Sequence, residues 1–213
     1  MRLGGTREQN GSMVESWRHQ VLHRTDGLVV VLVEAGSTSR ATLTRAGQFA
    51  VHKAVEELMG SAAGEIAYTD LGAPEWLNQS DQAGQRPVHI SIAHTGSVAV
   101  GVASTTTVGI DLERSDRDVS RLFRGLNEVE RQLVPRWSVL EILCAKEAAG
   151  KAQNIGLAGS VKRWHVSEVA DQLRVNDVGQ VEETKYPNPD GWAIDVVRTR
   201  VGSIPVTCVI ATP

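Results

Sequence analysis

The sequence predicts an α+β protein in which one order of secondary structure is used twice. The chain has 213 residues, enough for one domain with a large core or for two small domains. Short apolar or alternating segments, typical of strands, are interrupted by stretches with apolar residues at helical spacing. Their order is strand, helix, strands, and then strand, helices, strands. No repeat is visible residue by residue, so only the plan is repeated.

The first half is expected to contain one helix among short strands. Apolar or alternating runs predict these strands at residues 27–35, 65–69, 88–94 and 97–104. Polar cap residues at 37–44 precede apolar residues at helical spacing over 45–59, and Gly60 is placed to end this helix. Turn residues predict a loop over 71–85.

The second half is expected to begin with a strand at 108–113, which would complete a central meander with the two strands before it. A short helix over 127–134 should end at Pro135, and a longer helix is predicted over 137–153. Turns at Asp171 and Gly202 separate the last strands. These are expected at 164–169, 172–175, 191–198 and 205–211.

Composition and charge exclude several classes of protein. Hydrophobic residues make up 41% and charged residues 22%, which is ordinary for a soluble globular protein. The net charge of −3 argues against a general nucleic-acid binder. Cys144 and Cys208 form neither a disulfide framework nor a metal motif, which fits a reducing cytoplasm. Residues 1–20 look like a flexible polar tail, and neither a signal peptide nor a membrane span is expected.

Two acidic residues share one face of the strand at 108–113. Side chains two apart on a strand project to the same side, so Asp111 and Glu113 should lie next to each other. Two carboxylates this close repel each other unless a cation or a proton lies between them. A hard cation is the favoured interpretation.

A third carboxylate is expected from the helix at 137–153. Glu147 and Lys151 are four residues apart on one helical face, and Lys146 lies beside them. If this helix packs across the strand end, Glu147 joins the two strand carboxylates. Three carboxylates make a Mg²⁺ site with positions open for water and phosphate oxygens, and lysines at its rim would hold the phosphates.

These segments resemble the two-part signature of the phosphopantetheinyl transferases. Its first part is (Val/Ile)-Gly-(Ile/Val)-Asp, and its second is (Phe/Trp)-(Ser/Cys/Thr)-x-Lys-Glu-(Ala/Ser)-x-x-Lys. The matching residues are Val108, Gly109, Ile110 and Asp111, then Cys144, Lys146, Glu147, Ala148 and Lys151. Leu143 stands where an aromatic residue is usual. A match in two linked parts is more specific than a match in either part alone.

The resemblance implies a fold and an organisation. Single-chain, Sfp-type members have two similar α/β halves packed about a pseudo-twofold axis, with the cofactor in the cleft between them. For this chain it implies an N-terminal half at 21–105 and a C-terminal half at 106–213 that carries the metal site. A cleft made within one chain implies a monomer.

The resemblance also implies a reaction. The 4'-phosphopantetheine arm of coenzyme A would be transferred to a serine of an apo acyl or peptidyl carrier protein, with release of 3',5'-ADP. The carrier could belong to polyketide, nonribosomal-peptide or fatty-acid synthesis; sequence leaves the three open. Mg²⁺ would be held by Asp111, Glu113 and Glu147, and the phosphates by Lys151 and Lys146. The base that takes the serine proton would be Glu130, or Glu147 through a water; sequence leaves both open. Glu128, two residues before Glu130, is the rival for the role of Glu130.

Further matches add contacts to coenzyme A. His94 lies in a segment that resembles the family's Phe-Ser-x-Ser-His-Ser-Gly, although a lone histidine is ordinarily structural. Arg45 stands where the family has an arginine near the nucleotide. Ala93 and Ala73 replace a hydroxyl residue and a lysine of the family pattern. Gly156 and Leu157 continue the second signature, with Asn154 in place of its first glycine.

A basic stretch follows the metal strand and would suit an acidic carrier helix, with Leu122 and Phe123 as apolar anchors. Its arginines are Arg114, Arg117, Arg121, Arg124 and Arg131. An ordinary solvated surface is the competing interpretation of this stretch.

Two other functions compete with the transferase for the whole chain. One is a non-catalytic module that binds carrier protein or coenzyme A, and the other is a Mg²⁺-dependent phosphohydrolase.

Overall fold

The computed structural model describes residues 17–78, 87–155, 161–178, 188 and 190–213, and it confirms the predicted α+β class. The strands of this part are β1 (Arg18–Thr25), β2 (Leu28–Glu34), β3 (Gly64–Tyr68), β4 (Pro74–Asn78), β5 (His89–Thr95), β6 (Val98–Ser104), β7 (Gly109–Arg114), β8 (Trp164–Val169), β9 (Gln172–Asp177), β10 (Trp192–Val201) and β11 (Ile204–Thr212). The α-helices are α1 (Arg40–Met59), α2 (Glu128–Leu133) and α3 (Val139–Ala152). Short 3-10 turns lie at Leu122–Gly125 and Val161–Arg163.

The strands form antiparallel sheets. The first sheet has the order β1-β2-β6-β5, the second has the order β7-β11-β10-β9-β8, and β3 pairs with β4 in a small third sheet. In both large sheets the last strand of a half pairs with an early strand of the same half, as β6 does with β2 and β11 with β7. The segments β2-β6-β5 and β7-β11-β10 therefore share one strand order.

The two large sheets pack face to face, and each carries a helix on its outer side. On β2, Val29 and Val31 face α1, while Val30 and Leu32 face the second sheet, as strand alternation requires. Ile110 on β7 belongs to the core between the sheets. The opposite face of β7 therefore meets α3, and this face carries Asp111.

Glycines let each helix lie directly on its sheet. A Cβ atom on Gly101 of β6 would lie 2.5 Å from the backbone nitrogen of Val51 in α1. A Cβ atom on Gly109 of β7 would lie 1.9 Å from the carbonyl oxygen of Ala148 in α3. Both separations are far below van der Waals contact. Gly109 thus fixes α3 against the strand that carries Asp111 and Glu113.

The helix ends follow from their capping residues. The Ser39 hydroxyl accepts a hydrogen bond from the Thr42 amide and starts α1 five residues before the predicted position, and Gly60 ends it with a φ of 77°. Capping boxes begin both α2 and α3, through Asn127 and Ser138. Among the described helices, none is both long enough and apolar enough to cross a membrane.

Three predictions about the fold need correction. β1 starts at Arg18, so residues 18–20 of the predicted tail lie in a strand, whereas residues 1–16 are outside the described part. β4 occupies residues 74–78 of the predicted loop. β7 does not complete a meander with β6, because it pairs with β11 in the other sheet.

Candidate active site

Three carboxylates from two elements line one cavity of about 310 Å³. Asp111 and Glu113 come from β7, and Glu147 comes from α3. Asp111 is buried, with 6% of its surface exposed, while Glu113 and Glu147 are partly exposed. The structure thus brings together the residues predicted as a group from two segments of the sequence.

Lys151 is the ionic partner of two of these carboxylates. Its Nζ lies 2.9 Å from Asp111 Oδ1 and 3.3 Å from Glu147 Oε1. Burial alone would lower the pKa of Lys151, but the attraction of Asp111 and then Glu147 outweighs burial, so this pKa lies above its ordinary value. The ammonium therefore stays charged at neutral pH.

The negative charge around Glu147 exceeds the charge that Lys151 neutralises. Burial raises the pKa of Glu147, and repulsion from Asp111 raises it further. Attraction to Lys151 opposes the rise without cancelling it. Glu147 therefore holds a proton more readily than an ordinary glutamate.

Glu113 joins the two halves of the chain at this cavity. Its Oε2 accepts a hydrogen bond of 3.1 Å from the Thr95 hydroxyl on β5, and its Oε1 pairs with Arg117. β5 belongs to the first sheet and β7 to the second. The cavity thus lies where the two large sheets meet.

The donor set fits a hard divalent cation in its chemistry. Asp111, Glu113 and Glu147 offer only carboxylate oxygens, which Mg²⁺ prefers. The raised pKa of Glu147 marks an excess of negative charge that a cation would relieve. In this conformation, no group of three or more acidic, histidine or cysteine side chains in the described part of the chain has metal-binding geometry. Lys151 and Arg117 hold the carboxylates instead.

Lys151, which pairs with Asp111 and Glu147 of the first cavity, lines a larger cavity of about 540 Å³. Its walls come from both halves of the chain. They are formed by Leu71, Gly72, Ala73, Pro74, Ile90, Ser91 and Ile92 of the first half, and by Lys151, Asn154, Ile155 and Arg163 of the second. Lys151 therefore lies at the junction between the carboxylate cavity and a mostly apolar cleft between the halves.

Glu130 and Lys146 are brought together, but neither is among the described residues that line the two cavities. Their side chains are 0% and 1% exposed, and Lys146 Nζ lies 2.8 Å from Glu130 Oε1. Glu130 also accepts hydrogen bonds from the backbone amides of Asn127 at 2.9 Å and Val166 at 3.0 Å. Both oxygens of Glu130 are thus committed to holding α2, α3 and β8 together. The geometry argues against the predicted roles of Glu130 as the base and of Lys146 as a cofactor contact.

The rival of Glu130 does not replace it. The Glu128 side chain is 80% exposed and lies 3.6 Å from Arg131. It is absent from the described linings of both cavities. Glu128 is a solvated helix glutamate.

Arg45 and His94 are exposed and lie outside the described linings of both cavities. His94 shares a face of β5 with Ile92, which does line the larger cavity. Arg45 is two residues before Gly47, where α1 packs on Ile92. The contacts of both residues with coenzyme A stay predictions.

The departures from the family pattern also have places in the structure. Ala73 lines the larger cavity, in the turn between β3 and β4, so this wall carries no charge there. Ala93 is buried in the core between the sheets. Asn154, which replaces a glycine, has a φ of 61°, a left-handed conformation that asparagine tolerates better than most residues. Gly156 and Leu157 lie outside the described residues.

Sequence reasoning missed Thr95 and Arg163. In the sequence Thr95 indicates only a turn between two strands, and its contact with Glu113 depends on how the two sheets meet. Arg163 lies in a segment without apolar periodicity, so no pattern pointed to it. Its place in the larger cavity depends on the 3-10 turn that precedes β8.

The basic stretch divides into paired and unpaired arginines. Three of its members bind carboxylates, as Arg114 does with Asp116, Arg117 with Glu113 and Arg131 with Glu128. Arg121 and Arg124 are exposed and make no ion pair among the described residues. Phe123, between them, is 40% exposed, whereas Leu122 packs against the core. Phe123 is thus the more exposed of the two predicted anchors, and the docking role of both stays a prediction.

Comparison of the sequence with models of known protein families finds no match, and no curated protein matches it. A function for this chain therefore has to be argued from the residues and geometry of the two cavities.

Proposed function

We propose that this protein transfers the 4'-phosphopantetheine arm of coenzyme A to a serine of an apo carrier protein, in a Mg²⁺-dependent reaction that releases 3',5'-ADP. One observation carries the proposal. The carboxylates of Asp111, Glu113 and Glu147 line one cavity, and Lys151 joins it to a cleft large enough for a ligand. Asp111, Glu147 and Lys151 are three of the charged positions of the two-part signature.

The strand order supports a two-half fold of the Sfp type. The orders β2-β6-β5 and β7-β11-β10 match, and α1 and α3 pack on the outer faces of their sheets. Under the proposal these halves are related by a pseudo-twofold axis, with coenzyme A in the cleft between them. Both cavities are formed within one chain, so we expect a monomer.

Asp111, Glu113 and Glu147 are the residues that would hold Mg²⁺. When bound, the ion supplies positive charge to a diphosphate on which negative charge grows as the phosphorus–oxygen bond breaks. Lys151 donates charge-assisted hydrogen bonds to the phosphate oxygens from the junction of the two cavities. This placement lets one ammonium group orient the diphosphate beside the carboxylates.

The reaction balances with one proton acceptor. The serine oxygen forms a bond with the β-phosphorus of coenzyme A, and the bond from that phosphorus to the bridging oxygen breaks. The bridging oxygen leaves with the electron pair as part of 3',5'-ADP. Glu147, acting through a water, takes the serine proton. Glu130 is fully buried and cannot reach the serine in this conformation.

The carrier protein is expected to dock beside the carboxylate cavity. Arg121 lines that cavity, and Arg124 and Phe123 are exposed next to it. Unpaired guanidinium groups around an aromatic side chain suit an acidic helix with an apolar contact. Docking there would bring a carrier serine close to the three carboxylates.

One incubation tests the proposal against its competitors. The protein is mixed with coenzyme A, Mg²⁺ and an apo carrier protein, and the intact mass of the carrier is measured. A gain of one phosphopantetheine supports transfer. A stable complex without a gain would make the protein a binding module, and free phosphopantetheine with an unlabelled carrier would make it a hydrolase. An EDTA-treated sample controls for the metal.

A further inference from the structure

Arg163 is a cation of the larger cavity to which the proposed reaction gives no role. Its side chain is 10% exposed, and it lines the cleft together with Lys151. Among the described lining residues, these two carry the positive charge and no carboxylate accompanies them. The wall opposite contributes Leu71, Ala73 and Pro74, which offer no charge.

The guanidinium group of Arg163 is held in one orientation. Nε donates to Asp177 Oδ1 at 2.7 Å, and Nη2 donates to Asp177 Oδ2 at 2.5 Å. The group also lies over the ring of Trp164, with 5.4 Å between Cζ and the ring centroid. A bidentate pair and a ring contact together restrict the side chain before any ligand arrives.

This arrangement leaves one nitrogen of Arg163 available. The pair with Asp177 uses Nε and Nη2, and Nη1 makes no hydrogen bond to any described residue. Lys151, in contrast, is already engaged by Asp111 and Glu147. A ligand with several phosphate charges in this cavity would need a second donor, and an arginine N–H suits phosphate oxygens.

We propose that Arg163 binds a phosphate group of the co-substrate in the larger cavity, through Nη1. This inference rests on the proposed function and adds a binding residue to it. Coenzyme A carries a diphosphate and a 3'-phosphate, and dephospho-coenzyme A lacks the latter. A pair of ligands can therefore identify which phosphate Arg163 contacts.

The test is equilibrium binding of both ligands, by calorimetry, to the whole protein and to Arg163→Gln. The variant should bind coenzyme A at least about tenfold more weakly, equivalent to about 1.4 kcal/mol. An equal loss with dephospho-coenzyme A assigns Arg163 to the diphosphate, and a loss confined to coenzyme A assigns it to the 3'-phosphate. Arg24→Gln is the matched control, because Arg24 also pairs with a carboxylate, Glu57, but lies outside both cavities.

A second variant separates binding from a structural effect. Arg163→Gln removes one charge of the pair with Asp177, whereas Arg163→Gln combined with Asp177→Asn removes both charges. The double variant should bind coenzyme A as weakly as the single variant. Coenzyme A affinity that is restored in the double variant, or unchanged in the single variant, would overturn the inference. The proposed function would still stand in that case if the wild type labels the carrier protein. Absence of coenzyme A binding by the wild type would overturn both.

Discussion

Lys151 Nζ lies 2.9 Å from Asp111 Oδ1 while the same side chain lines the larger cavity. One ammonium group therefore neutralises a carboxylate in the first cavity and faces the cleft where a phosphate is proposed to bind. A divalent cation would meet Lys151 as a competitor for Asp111. Binding of the metal and engagement of phosphate by Lys151 should therefore be coupled.

Lys151→Met tests this coupling. Without coenzyme A, the variant should bind Mn²⁺ several-fold more tightly than the wild type, because the competing ammonium is gone. Carrier labelling should nevertheless fall about 100-fold, since the phosphate loses a charged donor. Mn²⁺ titration by electron paramagnetic resonance measures the first effect. Lys53→Met is the control, because Lys53 pairs with Glu56 outside both cavities. Weaker Mn²⁺ binding by Lys151→Met would show that Lys151 does not compete with the metal for Asp111.

The buried pair of Glu130 and Lys146 should act on stability. Lys146→Met leaves the Glu130 carboxylate buried without its cation, which should lower the free energy of unfolding by about 3–5 kcal/mol. Combining it with Glu130→Gln should recover part of the loss. Urea denaturation of the two variants and the wild type measures both effects. Full stability of Lys146→Met together with loss of coenzyme A binding would instead restore Lys146 as a cofactor contact.

Helix geometry explains why Glu147 and Lys151 lie together at the cavities whereas Lys146 does not. Residues four apart share a helical face, whereas neighbouring residues point about 100° apart. Glu147 faces the carboxylate cavity, so Lys146 turns toward α2 and β8. The motif led to a prediction with Lys146 and Glu147 in one site. A sequence motif shows which residues occur together but not the direction in which each side chain points.

The raised pKa of Glu147 predicts a pH-dependent difference in stability. A group whose pKa is higher in the folded state contributes stability at low pH and loses it as pH rises through that pKa. Glu147→Gln cannot ionise, so in EDTA it should melt above the wild type at neutral pH. The difference should shrink as pH falls toward about 4, near the ordinary glutamate pKa. Thermal melts of both proteins from neutral pH down to about pH 4 measure this difference in melting temperature. A variant less stable than the wild type at neutral pH would contradict the prediction.

The elements of the fold that sequence missed lack a strong hydrophobic pattern. β1 is an edge strand with mostly exposed residues, so its pairing with β2 leaves little trace in the sequence. β4 begins with Pro74 in a segment rich in turn residues. The strand β7 itself was predicted, but alternation does not identify a partner, and β7 pairs with β11 at the far end of the chain.

Charge reversal on the proposed docking surface, formed by Arg121, Phe123 and Arg124, should weaken binding of the carrier protein and leave binding of coenzyme A unchanged. Arg121→Glu combined with Arg124→Glu should raise the apparent KM for an acidic carrier about tenfold at low salt, and the effect should shrink as salt screens it. Steady-state labelling at several salt concentrations measures this. Arg24→Glu serves as the control away from this surface. An unchanged KM for the carrier would place docking elsewhere.

The central claim is that the three carboxylates support metal-dependent phosphopantetheinyl transfer. Asp111→Asn keeps the shape of the most buried of them and removes its charge. The most direct measurement is the intact mass of an apo carrier protein after incubation with coenzyme A and Mg²⁺, using wild type and Asp111→Asn side by side. The wild type should add one phosphopantetheine to the carrier, and the variant should add none while it stays folded. An unmodified carrier with the wild type, or labelling by Asp111→Asn at the wild-type rate, would contradict the account.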